Sequence, residues 1–148
     1  MEEGRLSATF GYLLAQVCKA HHFRARTLLD ELGLYRGQQF VLCALWAEEG
    51  ITHSELAERL HVHPATVTNA IKRMEQAGFV ERRPDLEDQR VSRVYLTNAG
   101  REIQDAVEGV WAELEEQTLD GFSEAERSTL EQFLERILRN LIEEEART

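Results

Sequence analysis

The segment from Ile51 to Thr97, ITHSELAERLHVHPATVTNAIKRMEQAGFVERRPDLEDQRVSRVYLT, limits the fold more than any other part of the chain. Thr52 and Glu55 stand three apart, the spacing of a capping box, in which each side chain takes a free amide of a helix start. Leu56, Ala57 and Leu60 supply that helix with an inner face, and His61–His63 read as a turn. Pro64 suits the first turn of a second helix, where an amide would be unpaired in any case. This helix is expected to run to Ala77 and stop at Gly78. Phe79–Arg83 and Val91–Leu96 read as two strands, and Pro84–Arg90 is too long and too charged for a minimal hairpin turn. Two short helices across a tight turn beside a basic hairpin can present one helix to a DNA major groove.

On a helical wheel, Val67, Ala70, Ile71 and Met74 share one face and are expected to pack inward. Ala65, Asn69, Lys72 and Gln76 lie opposite, flanked by Thr66, Thr68 and Arg73. Asn can pair bidentately with adenine, and Thr or Ala methyls can meet a thymine methyl. Lys72 and Arg73 suit phosphates, which position without specifying. A solvated helix face is the plainer reading of the same pattern. In the hairpin, Arg82 and Arg83 precede the tip, where Arg90 could enter a minor groove. Asp88, two residues before it, could hold the guanidinium by a charge-assisted bond. An ordinary charged turn is the alternative there, but helix pair and basic hairpin in this order rarely coincide by chance.

The flanks are helical. Leu6, Phe10, Leu13, Leu14, Val17, Leu28, Leu29 and Leu32 predict one helix from about Ser7 to Leu32, ended by Gly33. A second helix is expected from about Arg36 to Glu48, stopping at Gly50. Thr97 is expected to begin a long helix through Ile103, Val107, Val110, Trp111 and Leu114. Ser123 and Glu126 form a second capping box. It opens a last helix carrying Leu130, Phe133, Leu134, Ile137, Leu138, Leu141 and Ile142. Such apolar stripes could fill the core of a larger monomer, but apolar faces at both ends are best covered together by a second copy of the chain.

The formal net charge of −10 looks unfavourable for DNA, but it is unevenly distributed. Residues 52–97 hold 7 basic and 7 acidic side chains, while residues 98–148 hold 5 and 14. Phosphate attraction acts within about 8 Å at physiological salt, so the local balance decides contact. No apolar run approaches the roughly 20 residues of a membrane span. With acids near the start and no cleavage pattern, no signal peptide is expected. Two cysteines, Cys18 and Cys43, fit a reducing cytoplasm.

These residues together resemble the multiple-antibiotic-resistance regulator (MarR) family of bacterial winged-helix transcription factors. The most specific likeness is Arg82-Arg83, then Asp88-Gln89-Arg90, then Leu96-Thr97-Asn98-Ala99-Gly100, similar to the family's D-x-R wing followed by L-T-x-x-G. Gln39, Leu56-Ala57 and Met74-Glu75-Gln76-Ala77-Gly78-Phe79-Val80 support it, and it spans Leu6 to Leu141. The implied fold is a mainly α, winged helix-turn-helix domain over residues 1–148. Its DNA-binding lobe would span about 36–97, flanked by dimerisation helices at about 5–32 and 98–144. The implied function is sequence-specific, pseudo-palindromic operator binding as a cytoplasmic homodimer, usually as a repressor. Expected DNA contacts are Ser54, His63, Ala65, Thr66, Thr68, Asn69, Lys72, Arg73, Arg83, Asp88 and Arg90. His63 departs from the small capping residue common before the proline.

Related regulators bind small aromatic ligands between dimer helices and winged helix. Tyr12, His22, Tyr35, Trp46 and Trp111 are the candidate lining residues, each read more readily as core than as pocket. Cys18, His21 and His22 have helical spacing that could ligate a metal, but no third and fourth ligands can be named, so no metal or cofactor is expected. Peroxide-sensing members use a cysteine about two turns before Cys18. Cys43, within an apolar run, reads as core. No nucleophile–base pair, Gly-rich phosphate loop or H-E-x-x-H motif supports an enzyme. The rival reading is a winged-helix module that binds protein rather than DNA.

Overall fold

The computed structural model describes residues 3–35 and 37–147. Eight helices and a three-stranded antiparallel sheet follow one another in these residues. The chain forms two compact units, residues 1–112 and 113–148.

In the first unit, α1 (Glu3–Leu6) precedes α2 (Phe10–Asp30). The expected start at Ser7 moves to Phe10 because Thr9 is the better cap. Its Oγ1 accepts from Tyr12 N at 3.1 Å and donates to Leu6 O at 2.7 Å. Gly33, at φ 75°, turns the chain after α2, and Leu34 N reaches back to Leu29 O. Helix α3 (Gln38–Ala47) follows Gly37 at φ 81°. Arg36, where this helix was expected to begin, lies outside the described residues. Val41, Leu42 and Leu45 of α3 are buried. Cys43 is exposed rather than core: its side chain leaves the helix on the side opposite these three.

Strand β1 (Ile51–Thr52) leads into α4 (His53–Leu60), α5 (Pro64–Gln76), β2 (Val80–Pro84) and β3 (Ser92–Leu96). The sheet order is β1-β3-β2, with Ile51 opposite Val94 and Val80 opposite Leu96. Ile51 was expected only to precede a helix; a two-residue strand is too short for any alternation to register. Leu34, Leu42, Leu45, Leu56, Val67, Ile71, Met74, Val80 and Val94 are each at most 2% exposed and form the core under this sheet and helix pair.

The helix expected from Thr97 to Leu114 is two pieces, α6 (Asn98–Glu102) and α7 (Gln104–Thr118). Thr97 is the cap, accepting from Gly100 N at 3.2 Å. The break at Ile103 follows a competing donor: the Gly100 carbonyl, which a continuous helix would offer to Gln104, accepts the Trp46 indole. In the second unit, Gly121 at φ 82° ends a turn before α8 (Glu124–Arg147). Ser123 and Glu126 close the expected capping box, with Ser123 N to Glu126 Oε1 at 3.0 Å and Glu126 N to Ser123 Oγ at 3.2 Å.

Candidate nucleic-acid interface

The capping box at the start of α4 is complete. Thr52 Oγ1 accepts from Glu55 N at 3.1 Å, and Glu55 Oε2 accepts from Thr52 N at 3.2 Å. The helix ends at His61, in left-handed geometry at φ 53°, whose amide returns to the last turn. His63 caps α5 through its backbone only, and Pro64 occupies the first turn. Leu56 and Ala57 on α4 and Val67, Ile71 and Met74 on α5 are buried, which sets the rotation of both helices. Ala70 is half-buried beside them. The rotation turns Ala65, Thr66, Thr68, Asn69, Lys72, Arg73 and Gln76 to solvent, as the wheel predicts. Ser54 and His63 are exposed as well.

The hairpin tip is held by two aspartates. Asp85 Oδ2 accepts from Glu87 N and Asp88 N at 3.1 and 3.0 Å, a local turn made by a side chain. Its Oδ1 takes Arg93 Nε at 2.6 Å, and Arg93 Nη1 continues to Gly50 O at 2.7 Å. The Arg93 bond, then the Asp88 amide, hold the Asp85 carboxyl below the usual carboxylate range. Asp88 Oδ1 accepts both Arg90 N at 3.1 Å and Arg90 Nε at 3.2 Å. Asp88 thus orients Arg90 as its position suggested, while the guanidinium stays 92% exposed.

Arg83 and Arg93 face each other across the strands, a like-charge pair that is unfavourable when bare. Each is answered by its own acid: Arg93 by Asp85, and Arg83 by Glu81, with the Arg83 guanidinium 4.2 Å above the Tyr95 ring. Arg82 grips Glu75 by two bonds of 3.1 and 3.0 Å, tying β2 to α5. That bond lowers the Glu75 pKa and raises that of Arg82. Arg59 pairs with Glu48. Among the described residues, Lys72 and Arg73 are therefore the basic side chains of this segment without an acidic partner.

Sequence reasoning overlooked His53, Asp85 and Arg93. His53 Nδ1 lies 3.2 Å from Thr68 Oγ1, and its Nε2 is buried without a protein partner. Burial first, then the Arg82 charge, push the His53 pKa down, against the opposing pull of Glu75. The Asp85–Arg93 spacing follows from strand register, which no local pattern announces.

The five aromatic candidates do not meet in one pocket. Tyr12 and His22 line a groove along α2. Tyr35 lines a separate hollow of about 430 Å³ with Arg26, Gln38, Thr66, Asn69 and Arg73. Trp46 borders a third depression and donates to Gly100, and Trp111 packs on His21 and Phe40 at 5.9 and 6.1 Å. Tyr12 and Tyr35 are 38% and 64% exposed, so neither is core. They scatter because each is aimed by the helix or loop that carries it, and those directions diverge. Cys18 is exposed, and no cluster of three metal-ligating side chains including it occurs among the described residues. No described helix is long and apolar enough to cross a membrane.

The sequence model of the MarR family matches residues 34–92, the span from the end of the α2–α3 turn to the wing. Two Bacillus subtilis (strain 168) relatives are both named as uncharacterized HTH-type transcriptional regulators. YybA is 29% identical over 75% of this chain and 74% of its own length. YwoH is 33% identical over 70% of this chain and 75% of its own. Two further relatives are matched at 40% and 36% identity over about half of their length. A MarR variant from E. coli, solved in complex with operator DNA, superimposes with a TM-score of 0.80. It is 28% identical, covering 86% of this chain and 92% of that one. The fold, the wing and these likenesses agree: the chain belongs to the MarR family of transcriptional regulators.

Proposed function

We propose that this regulator binds a pseudo-palindromic operator as a homodimer and acts as a cytoplasmic repressor. One observation carries the reading: the outer face of α5 holds Asn69 beside two unpaired cations, Lys72 and Arg73, next to a wing whose Arg90 is aimed but exposed. In this reading Ala65, Thr66, Thr68 and Asn69 meet base edges. Ser54, His63, Lys72, Arg73 and Arg83 meet phosphates, and Asp88 braces Arg90 in the minor groove. Residues of about 36–97 make the DNA-binding lobe, and about 5–32 and 98–144 the dimerisation helices. The likeness to an operator-bound MarR supports it.

Dimerisation rests on apolar side chains left uncovered in each unit. Leu6, Phe10, Leu13 and Val17 are 65, 64, 57 and 51% exposed, and Phe133, Leu134, Leu138 and Leu141 are 52, 46, 57 and 62% exposed. A small aromatic effector is the further partner in this reading. Tyr35 is the candidate beside the reading helix, and its neighbours Arg26 and Arg73 favour an anionic compound. Such a compound regulates only by binding the DNA-competent and incompetent forms unequally. Titrating a salicylate-like compound with and without operator tests that arm; equal affinities rule the compound out.

The central experiment selects duplexes from a random library and measures their anisotropy with the protein across salt. Enrichment of a near-palindrome is expected, with affinity falling steeply as salt rises, by about 10³-fold or more from 50 to 200 mM if six or more phosphates are met. No enrichment, or salt-insensitive association, overturns the reading.

A further inference from the structure

The recognition helix carries Thr68 on its exposed side, but the hydroxyl of Thr68 is not free. Its Oγ1 lies 3.2 Å from Nδ1 of His53, the first residue of α4, fifteen positions earlier in the chain. Threonine in a helix ordinarily divides between two side-chain rotamers, because its hydroxyl can also turn back to a carbonyl of the preceding turn. A partner on the neighbouring helix removes that choice. His53 is itself held in place: it is half-buried, its Nε2 lies out of solvent, and the Arg82–Glu75 clamp stands beside it. Its position is further set by the Thr52–Glu55 capping box at the start of the same helix.

We propose that His53 is a positioning residue for base reading: by engaging the Thr68 hydroxyl it leaves the Thr68 methyl as the group offered to DNA, and so selects a thymine 5-methyl at one position of each half-site. The proposal rests on the reading of α5 as the recognition helix. Apolar contact with the thymine methyl is among the few features that distinguish T·A from the other pairs in the major groove. A methyl group fixed before contact loses no rotamer freedom on binding, whereas a freely turning threonine would present hydroxyl and methyl alternately.

Uracil tests this directly, because it differs from thymine by that methyl alone. Each thymine of a duplex selected in vitro is replaced singly by uracil, symmetrically in both half-sites, and affinity is measured by anisotropy. One symmetric position should weaken binding by about fourfold per half-site, the factor for one methyl-sized group buried. Thr68→Ser, which keeps the hydroxyl and removes the methyl, should bind the thymine and uracil duplexes alike at that position. Thr68→Val, which keeps a methyl without needing His53, should retain the discrimination. His53→Ala should reduce it while Thr68 is unchanged, and His53→Ala should have no further effect on it in the Thr68→Val background. A merely structural role for His53 would lower affinity for both duplexes equally and leave their ratio intact. Wild type that binds every uracil duplex as tightly as the thymine one overturns the proposal, as does full discrimination in Thr68→Ser or His53→Ala. If no duplex is enriched at all, the recognition-helix reading fails first and this proposal falls with it.

Discussion

The indole Nε1 of Trp46 donates to the carbonyl oxygen of Gly100 at 2.9 Å, joining α3 to α6 across 54 residues. Gly100 is closely hemmed in: a Cβ built there would lie 2.1 Å from the Phe79 carbonyl oxygen. That same oxygen accepts from Thr97 N at 3.0 Å, and Thr97 Oγ1 donates to Gly78 O. The Leu96-Thr97-x-x-Gly100 run is thus a joint: a buried Leu96, a helix cap that also closes the end of α5, and a residue with no side chain where two backbones meet. Gly100→Ala should destabilise by about 2–3 kcal/mol, since backbone has to give way. Trp46→Phe should cost about 1 kcal/mol for the missing hydrogen bond. Urea unfolding measures both; a Gly100→Ala midpoint equal to the parent's contradicts the packing described.

His53 makes stability depend on pH with a definite sign. Its folded pKa lies below the ordinary histidine value of about 6.5, because burial and then the Arg82 charge disfavour the cation. The unfolded chain therefore binds more protons between the two values, so its contribution is complete above about pH 6.5 and is lost as pH falls through the folded value. His53→Gln should flatten this fall below about pH 6.5. Parallel pH–stability curves for parent and variant would remove His53 as the source.

Binding to phosphate and binding to bases should separate in an affinity assay. Lys72→Ala and Arg73→Ala should weaken all duplexes alike, each reducing the salt slope by about one for the phosphate it no longer meets. Asn69→Ala should relax base preference, because a bidentate base pairing carries about 1–3 kcal/mol of discrimination. Arg90→Ala should weaken operator binding by about 1–3 kcal/mol, the range for a charge-assisted hydrogen bond. Anisotropy that finds Asn69→Ala and Arg90→Ala indistinguishable from the parent would exclude both from the interface.

Association should fail when a charge enters the apolar stripe of α8. Leu134 and Leu138 are 46 and 57% exposed in the single chain and would be covered in a dimer. Leu134→Arg or Leu138→Arg would bury an unpaired cation there, a cost of several kcal/mol. Sedimentation should show the parent as a dimer at micromolar concentration and the variants as monomers; a monomeric parent refutes the dimer.

The local sequence determined the helix-turn-helix and the outline of the wing. Thr52 with Glu55, Pro64, Gly78 and Thr97 mark ends that depend on neighbours three or four residues away, and each acts where its spacing places it. The inner and outer faces of α5 follow from helical period alone, and the Asp88–Arg90 bond spans two residues. Tertiary structure decided what depends on distant partners. The strand at Ile51 exists because β3 arrives beside it, and the break at Ile103 goes with a tryptophan 54 positions from its acceptor. Cys43 faces outward although Val41 and Leu42 beside it face in, and the aromatic candidates are divided among different surfaces, only Tyr12 and His22 sharing a groove. Above all, the sequence does not show which of Lys72, Arg73, Arg82 and Arg93 are answered by an acid from another element. Only the folded register pairs Arg82 of β2 with Glu75 of α5 and Arg93 of β3 with Asp85, whereas Arg83 and Arg90 meet Glu81 and Asp88 two positions away; Lys72 and Arg73 are left unpaired on the outer face of α5, because ion pairs between elements are set by three-dimensional proximity and not by spacing along the chain.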